Sequence, residues 1–391
     1  MVANVKDKAV IVGVANTQFS KNSGVSELNL AIQAVKAACD DAGLHPSAID
    51  GMATFTMDTS DEIEVARALG CDELTFYGRA HYGGGAATGS LHQAVMAVST
   101  GMAETVVVYR ALNGRSGHRF SGGVSGEITT ADAIHWGWYM PYGLLTPASW
   151  VAMFTKRWMH NTGVTKDALY EVAKATRDYG ANNPAAAFYG KTFDRAEYDA
   201  QRMIADPLQL FDCCQESDGG SAIIVTTPER ARDLKQPGVS VRGVAQCAGK
   251  DQEQMTSFYR DEFAAIPEME TAAKNTYEMS DLTPDDIDAA IIYDAFSPIV
   301  LWQLEAWGFC GLGESGDFVK NGALKIDGRL PTNTHGGQLS EAYIHGVNGI
   351  VEATKLVRGQ SVNQPAKDIN HALVTSGVGI PTGGALLGRL N

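Results

Sequence analysis

Two short passages of this chain occur twice, in the same order, and that duplication limits the folds open to it more than any other feature. Ile11-Val12-Gly13-Val14-Ala15 is echoed by Val241-Arg242-Gly243-Val244-Ala245, with the two glycines 230 positions apart. Leu44-His45-Pro46-Ser47-Ala48-Ile49-Asp50 is echoed by Leu282-Thr283-Pro284-Asp285-Asp286-Ile287-Asp288, with the closing aspartates 238 apart. A single match is what chance supplies. Two in sequence, with a slowly drifting offset, indicate a duplicated unit. In each copy a helix precedes the Leu-x-Pro turn and an apolar strand follows it, and the proline suits the first turn of a short helix, where its missing N–H costs nothing.

Within each copy strands and helices alternate. Leu91, Ala94, Val95 and Val98 make one helical face by their i, i+3, i+4, i+7 spacing, ahead of the strand Val106-Val107-Val108-Tyr109. Val347, Ile350 and Val351 make the corresponding face after Gly346. A chain of 391 residues is too long for one ordinary core, and alternating elements imply mixed sheets covered by helices. The expected class is α/β, with two halves, 1–237 and 238–391, stacked around shared central helices in a five-layered α/β/α/β/α sandwich. From about 113 to 207 the pattern breaks. Gly114 to Gly126 is rich in glycine and serine, and Trp136, Trp138, Tyr139, Tyr142, Trp150 and Trp158 follow. This reads as an inserted loop subdomain, either a helical cap that buries its aromatics or a lid over a bulky apolar ligand.

Composition removes several function classes. A hydrophobic share of 45% with 19% charged residues suits a soluble enzyme with much buried sheet. A net charge of −14 argues against nucleic acid and anionic membrane as general partners, while leaving room for an anionic ligand held by a local cluster of cations. The six cysteines show no framework spacing and no C-x-x-C pair, which fits reduced thiols in a cytoplasmic protein and no metal site. Met1 to Lys8 is charged, unlike a signal sequence, and Ala9 to Ala15 is far short of the roughly 20 residues a membrane span needs. The final Gly388-Arg389-Leu390-Asn391 is not a peroxisomal tripeptide. Gly13-Val14-Ala15-Asn16-Thr17-Gln18 lacks the later glycines of a dinucleotide fingerprint, and no phosphate loop is present.

Five landmarks carry the chemistry: Gly83-Gly84-Gly85-Ala86-Ala87-Thr88-Gly89-Ser90; Asp212-Cys213-Cys214-Gln215-Glu216-Ser217-Asp218-Gly219-Gly220; Tyr293-Asp294-Ala295-Phe296; Tyr343-Ile344-His345-Gly346; and Thr375-Ser376-Gly377-Val378-Gly379. In this order and spacing the chain resembles the thiolase superfamily over nearly its whole length, closest to the sterol-carrier-protein-X and lipid-transfer-protein branch. That resemblance implies a thiolase-like fold with a nucleophilic cysteine on the glycine-rich turn. A helix N-terminus there favours the thiolate. Here the position is Ala86, and no cysteine lies between Cys71 and Cys213. The histidine of the family's Gly-His-Pro motif is matched by Tyr343, and the stretch around Thr375 and Ser376, where a second cysteine would stand, has no thiol. Acyl transfer through an acyl-enzyme is then excluded unless another cysteine has been recruited. Cys213 and Cys214, ahead of the strand Ala222 to Val225, read as packed structural residues.

A retro-aldol reaction breaks the same Cα–Cβ bond of an acyl-CoA that thiolases make or break, without a covalent intermediate. It needs a base for the β-hydroxyl proton and an acid for Cα of the enolate. The resemblance extends to steroid side-chain aldolases with active-site tyrosines, and so marks Tyr293 and Tyr343 as catalytic, with Tyr343 expected as acid and Tyr293 as base. Asp294 and His345 are expected to orient the phenols or the thioester. Arg115 or Arg119 is read either as a contact to a CoA phosphate or as an exposed loop cation. The implied substrate is a bulky β-hydroxyacyl-CoA thioester, with no cofactor and no metal in this chain. The implied partner is an OB-fold acyl-CoA-binding protein carrying a zinc ribbon, joined to a homodimer of this chain in a heterotetramer. Val106 to Tyr109 is the expected interface edge. Two other readings stay open: a non-catalytic lipid- or acyl-CoA-binding subunit, and a thiolase that uses a displaced cysteine.

Overall fold

A computed structural model describes residues 5–81, 83–117, 119–122, 137, 139–252, 260, 266–378 and 382–390. Trp136, Trp138 and Gly379 lie outside the described residues.

The first half contributes strands β1 (Val10–Asn16), β2 (Gly51–Phe55), β3 (Phe76–Ala80), β4 (Thr105–Asn113) and β7 (Asp218–Thr226). The second contributes β8 (Val239–Cys247), β9 (Ala289–Ile291), β10 (His371–Ser376) and β11 (Thr382–Arg389). Together they run in the order β3-β2-β4-β7-β1-β8-β11-β10-β9. The order β2-β4-β7-β1 is repeated as β9-β10-β11-β8, and the pairings repeat with it. In both halves the first pair is parallel and the next two antiparallel. The halves join edge to edge through a seam between β1 and β8, at Val10↔Ser240 and Ile11↔Val239.

The duplicated passages have duplicated jobs. A Cβ on Gly13 of β1 would stand 2.2 Å from the carbonyl oxygen of Ala38, in helix α1 (Glu27–Ala42). A Cβ on Gly243 of β8 would stand 2.6 Å from the carbonyl oxygen of Thr276. The outer helix of each half lies too close to its strand for any side chain at that point. The carboxylate of Asp50 accepts from the N–H groups of Glu104 and Thr105 at the head of β4. Asp288 accepts from Asn370 and His371 at the head of β10. The intervening prolines open short 3₁₀ turns, Pro46–Ala48 and Pro284–Asp286, as the sequence predicts.

Two helices are buried almost all round because they are sandwiched between the halves. They are α3 (Ala86–Thr100) and, numbered below, α8 (Val347–Arg358), and their buried residues join the central core with Ile11, Val106, Val225, Val244 and Val374. Helices α1 and α2 (Glu62–Leu69) cover the outer face of the first half, where Leu30, Val35 and Val65 pack on Val12, Val107 and Ile224. The insertion supplies α4 (Pro147–Thr162), α5 (Lys166–Asn182) and a hairpin of β5 (Met203–Ala205) and β6 (Leu208–Gln209). The second half is covered by α6 (Pro267–Ser280) and α7 (Ser297–Ala306), with Met269, Val300 and Leu304 in one core with Leu373 and Leu386. The five layers are α1 and α2, the first half-sheet, α3 and α8, the second half-sheet, and α6 and α7.

One expectation is corrected. Val106 to Tyr109 is no edge, because β4 is paired on both sides, with β2 and β7. The edge on the first half's side is β3, which pairs with β2 alone among the described residues. Of the insertion's tryptophans, Trp150 and Trp158 follow the helical-cap reading rather than the ligand wall. Trp150 and Trp158 are each 1% exposed, and their indole N–H groups donate to the Leu144 carbonyl and to Glu305. Buried indoles usually find a partner for that N–H, and both of these do.

Candidate active site

The glycine-rich turn enters α3 at Ala86, which is buried at the contact of the two halves. The need for glycine is steric. A Cβ on Gly84 would stand 2.1 Å from the Tyr293 hydroxyl, so that phenol occupies the space a side chain would fill. Its backbone is clamped from two sides. Thr375 accepts from the Tyr293 N–H at 3.1 Å, and Gln303 donates to its carbonyl at 2.8 Å. Thr375 in turn donates to Gln303 at 2.6 Å, closing the clamp.

Tyr343 stands on the loop between a one-turn π-helix, Gly337–Glu341, and α8. Its hydroxyl lies 3.2 Å from that of Tyr293. The two phenols, 50 positions apart in sequence, thus form a hydrogen-bonded pair on the turn where Ala86 begins α3. Tyr293 is 5% exposed. Burial first, and then Tyr343 beside it, push its phenol well above the ordinary range near 10. That environment holds the Tyr293 proton in place and suits a donor better than a base.

The neighbouring expectations separate. Asp294 is buried and accepts from the N–H groups of Gln338 at 2.7 Å and Leu339 at 3.3 Å, and burial pushes its carboxyl up to about 7. Its visible role is to hold the π-turn, which Gly337 (φ 57°) permits by leaving room for the carboxylate. His345 is nearer the phenols, its ring meeting Tyr343 edge-on with centroids 4.8 Å apart.

A cavity of about 600 Å³ opens in front of Tyr343. Apolar side chains of Ala148, Met203, Ile204, Leu210 and Phe296 line it, a surface suited to a rigid hydrocarbon. Arg115 and Arg119 both line it, as does Arg202 on the β5–β6 hairpin. Arg119 is paired with Glu216 at 2.7 Å. Arg202 escaped the sequence reading because no local pattern ties it to Arg115, 87 positions earlier; only the hairpin's placement brings them together. On a chain of net charge −14, three guanidinium groups and one carboxylate, Glu216, line this cavity, leaving a local excess of positive charge.

Cys213 and Cys214 also line the cavity, so they are not simply packed away. Both are kept as thiols. Burial raises each well above the usual range, and Asp212 raises Cys213 further. A thiolate is the nucleophilic form, and this site disfavours it at both positions. Among the described residues no cluster of three or more His, Cys, Asp or Glu side chains could hold a metal ion.

Residues 249–386 match the family model described as thiolase C-terminal domain-like. A steroid side-chain-cleaving aldolase of Thermomonospora curvata is 54% identical over 382 residues, covering 97% of each chain. The 17-hydroxy-3-oxo-4-pregnene-20-carboxyl-CoA lyase of Mycobacterium tuberculosis is 52% identical over 384 residues, covering 97% of this chain and 99% of that protein. The solved structure of an Ltp2-ChsH2(DUF35) aldolase superposes with a TM-score of 0.95 at 53% identity, over all of both chains.

Proposed function

Because this chain belongs to the thiolase superfamily, alongside the steroid side-chain-cleaving aldolases, we infer that it is a carbon–carbon lyase. It performs the retro-aldol cleavage of a steroid side-chain β-hydroxyacyl-CoA, with no covalent acyl-enzyme. The products are a ketone and a short acyl-CoA such as propionyl-CoA. The observation that carries the mechanism is the pair of phenols 3.2 Å apart at the turn where Ala86 replaces a nucleophile.

The roles we propose reverse the direction expected from sequence. Tyr343, which lines the cavity, acts as phenolate and takes the β-hydroxyl proton. The Cα–Cβ bond breaks, its electron pair passing to the thioester as an enolate while the β-carbon becomes the ketone. Tyr293, whose surroundings favour the protonated phenol, gives its proton to Cα. The proton now on Tyr343 then crosses to Tyr293, restoring both. The apolar wall takes the steroid, and Arg115, Arg119 and Arg202 face the phosphates of CoA. No cofactor in this chain enters the cycle.

We also propose that the chain works as a homodimer joined to a DUF35-type partner, an OB-fold protein with a zinc ribbon, so that any zinc belongs to the partner. Support comes from the aldolase structure above, whose name pairs its two components. A cytoplasmic setting accords with six cysteines that form no disulfide. No described helix is long and apolar enough to cross a membrane.

The test is incubation of the chain, with and without its partner, with a tertiary β-hydroxyacyl-CoA, reading products and intact protein by mass spectrometry. Ketone and shortened acyl-CoA are expected, with no mass added to the protein. Tyr293→Phe and Tyr343→Phe should each fold and lose about 10²- to 10⁴-fold in rate. An acyl adduct on any cysteine would refute the mechanism, as would near-normal turnover in both variants.

A further inference from the structure

Three buried side chains that the proposed proton transfers do not use are joined in a line that ends at the phenols. Asp58, Arg110 and His345 are 4%, 3% and 1% exposed. Arg110 Nη1 donates to Asp58 Oδ2 at 2.9 Å and to the Ala111 carbonyl at 2.8 Å, while its Nε donates to His345 Nδ1 at 3.2 Å. Asp58 is itself anchored, accepting from the N–H groups of Ser60 at 2.9 Å and Ala111 at 3.2 Å. The guanidinium also lies over the Phe55 ring, 5.5 Å from its centroid.

The donor inventory settles the state of the imidazole. A guanidinium has only donors and keeps its charge, so His345 Nδ1 must offer a lone pair. A neutral ring with its lone pair on Nδ1 carries its proton on Nε2. Burial, and then the Arg110 charge, push the imidazole well below its ordinary range, in keeping with that neutral state. Nε2 lies 3.8 Å from where a Cβ on Gly83 would stand, on the same turn that Tyr293 crowds at Gly84. The ring's edge-on contact with Tyr343 is therefore made by an imidazole fixed in position, rotation and tautomer. Its backbone is fixed as well, at φ 51° and followed by Gly346 at φ 90°. A buried ion pair adds little net stability for its desolvation; what this one adds is a fixed direction for the Arg110 Nε–H.

We infer that Asp58, Arg110 and His345 are positioning residues for this reaction: the carboxylate fixes the guanidinium, the guanidinium fixes the imidazole in its Nε2-protonated form, and the imidazole sets the Tyr343 phenol against Tyr293. This rests on the reading of the phenol pair given above. It adds two residues, Asp58 and Arg110, that touch neither phenol.

The informative variant is His345→Asn. Asparagine tolerates the left-handed backbone, and its side-chain oxygen stands near the place of Nδ1, able to accept from Arg110. It has nothing to reach Tyr343 or the glycine turn. Measured on the full chain with its partner, the thermal midpoint should stay near that of the wild type and KM should change little. The value of kcat should fall about 10²-fold, the scale of a misplaced reacting group. Arg110→Lys keeps the charge beside Asp58 without an Nε–H, and should lower kcat in the same way. In protein carrying ¹⁵N-histidine, the resonances that vanish in His345→Asn should show a protonated Nε2 and an unprotonated Nδ1 at neutral pH. In Arg110→Lys that pattern should be lost. Wild-type kcat in His345→Asn, or a proton on Nδ1 in the wild type, overturns the proposal. Should His345→Asn not fold, the kinetics of Arg110→Lys and the wild-type spectrum decide. If the wild type cleaves no β-hydroxyacyl-CoA, the proposed function fails instead, and the ¹⁵N pattern still decides whether the relay exists.

Discussion

At the scale of single residues, the site depends on burying groups that would rather be solvated. Glu341, two positions before Tyr343, is 4% exposed and is held by the side-chain amides of Asn183 at 3.1 Å and Asn348 at 2.9 Å. Burial pushes its carboxyl up to about 8, and burial pushes Asp294 up to about 7. Both values lie above the unfolded-chain range of about 4. Between the two limits the unfolded chain has lost these protons and the folded chain still holds them. Stability attributable to these groups is therefore greatest at low pH and declines as pH rises from about 4 toward 8. Glu341→Gln removes one titration and keeps an amide oxygen as acceptor. Thermal midpoints measured from pH 5 to 8 should decline less in this variant than in the wild type, and parallel curves would contradict the assignment.

At the scale of elements, the insertion supports the catalytic loop. Helix α5 reaches the π-turn through Gly180, where a Cβ would stand 2.6 Å from the Ser340 Cβ. One turn earlier, Arg177 Nε donates to the Ser340 hydroxyl at 3.0 Å, its guanidinium 3.6 Å from the centroid of Phe188. The segment after α5 adds backbone bonds from Ala187 to the Glu341 carbonyl and from Phe188 to the Ser340 carbonyl. These contacts fix the base of the loop that carries Tyr343. Gly180→Ala should push the π-turn away, destabilising the protein by about 1–3 kcal/mol and lowering kcat about 10²-fold. Steady-state kinetics beside a thermal melt check this; a destabilised variant with unchanged kcat would show that the loop keeps its place without α5.

At the scale of the whole molecule, the exposed side of β3 is where we propose that a second copy joins. An edge strand presents a row of backbone donors and acceptors ready to pair. Tyr77 in β3 is 64% exposed, with Met102 (62%) and Ile63 (55%) also exposed in the first half. Sedimentation at micromolar concentration should give at least a dimer, and Tyr77→Lys should shift it toward the monomer. A monomeric wild type, with and without partner, would count against this edge. The proposed division at 237/238 falls just ahead of β8, close to the seam where the half-sheets meet.

Sequence alone determined the repeat and therefore the layered plan, because Gly13 and Gly243, and Asp50 and Asp288, meet needs set within one half: a helix crossing its own strand, and the head of a neighbouring strand. It also determined that Ala86 cannot act as a nucleophile and that tyrosines stand at positions 293 and 343. Tertiary structure decided the rest. The 3.2 Å phenol pair, the line from Asp58 through Arg110 to His345, and the convergence of Arg115, Arg119 and Arg202 all join segments far apart in the chain. No periodicity records which loops meet. Trp150 and Trp158 read equally as core or as ligand wall in the sequence, and only their partners Leu144 and Glu305 place them in the core. Likewise, nothing in the run Val106 to Tyr109 says whether one or both of its sides are paired; the neighbours β2 and β7 settle that. Burial belongs to the assembled fold, and with it come the charge states on which the proposed chemistry depends.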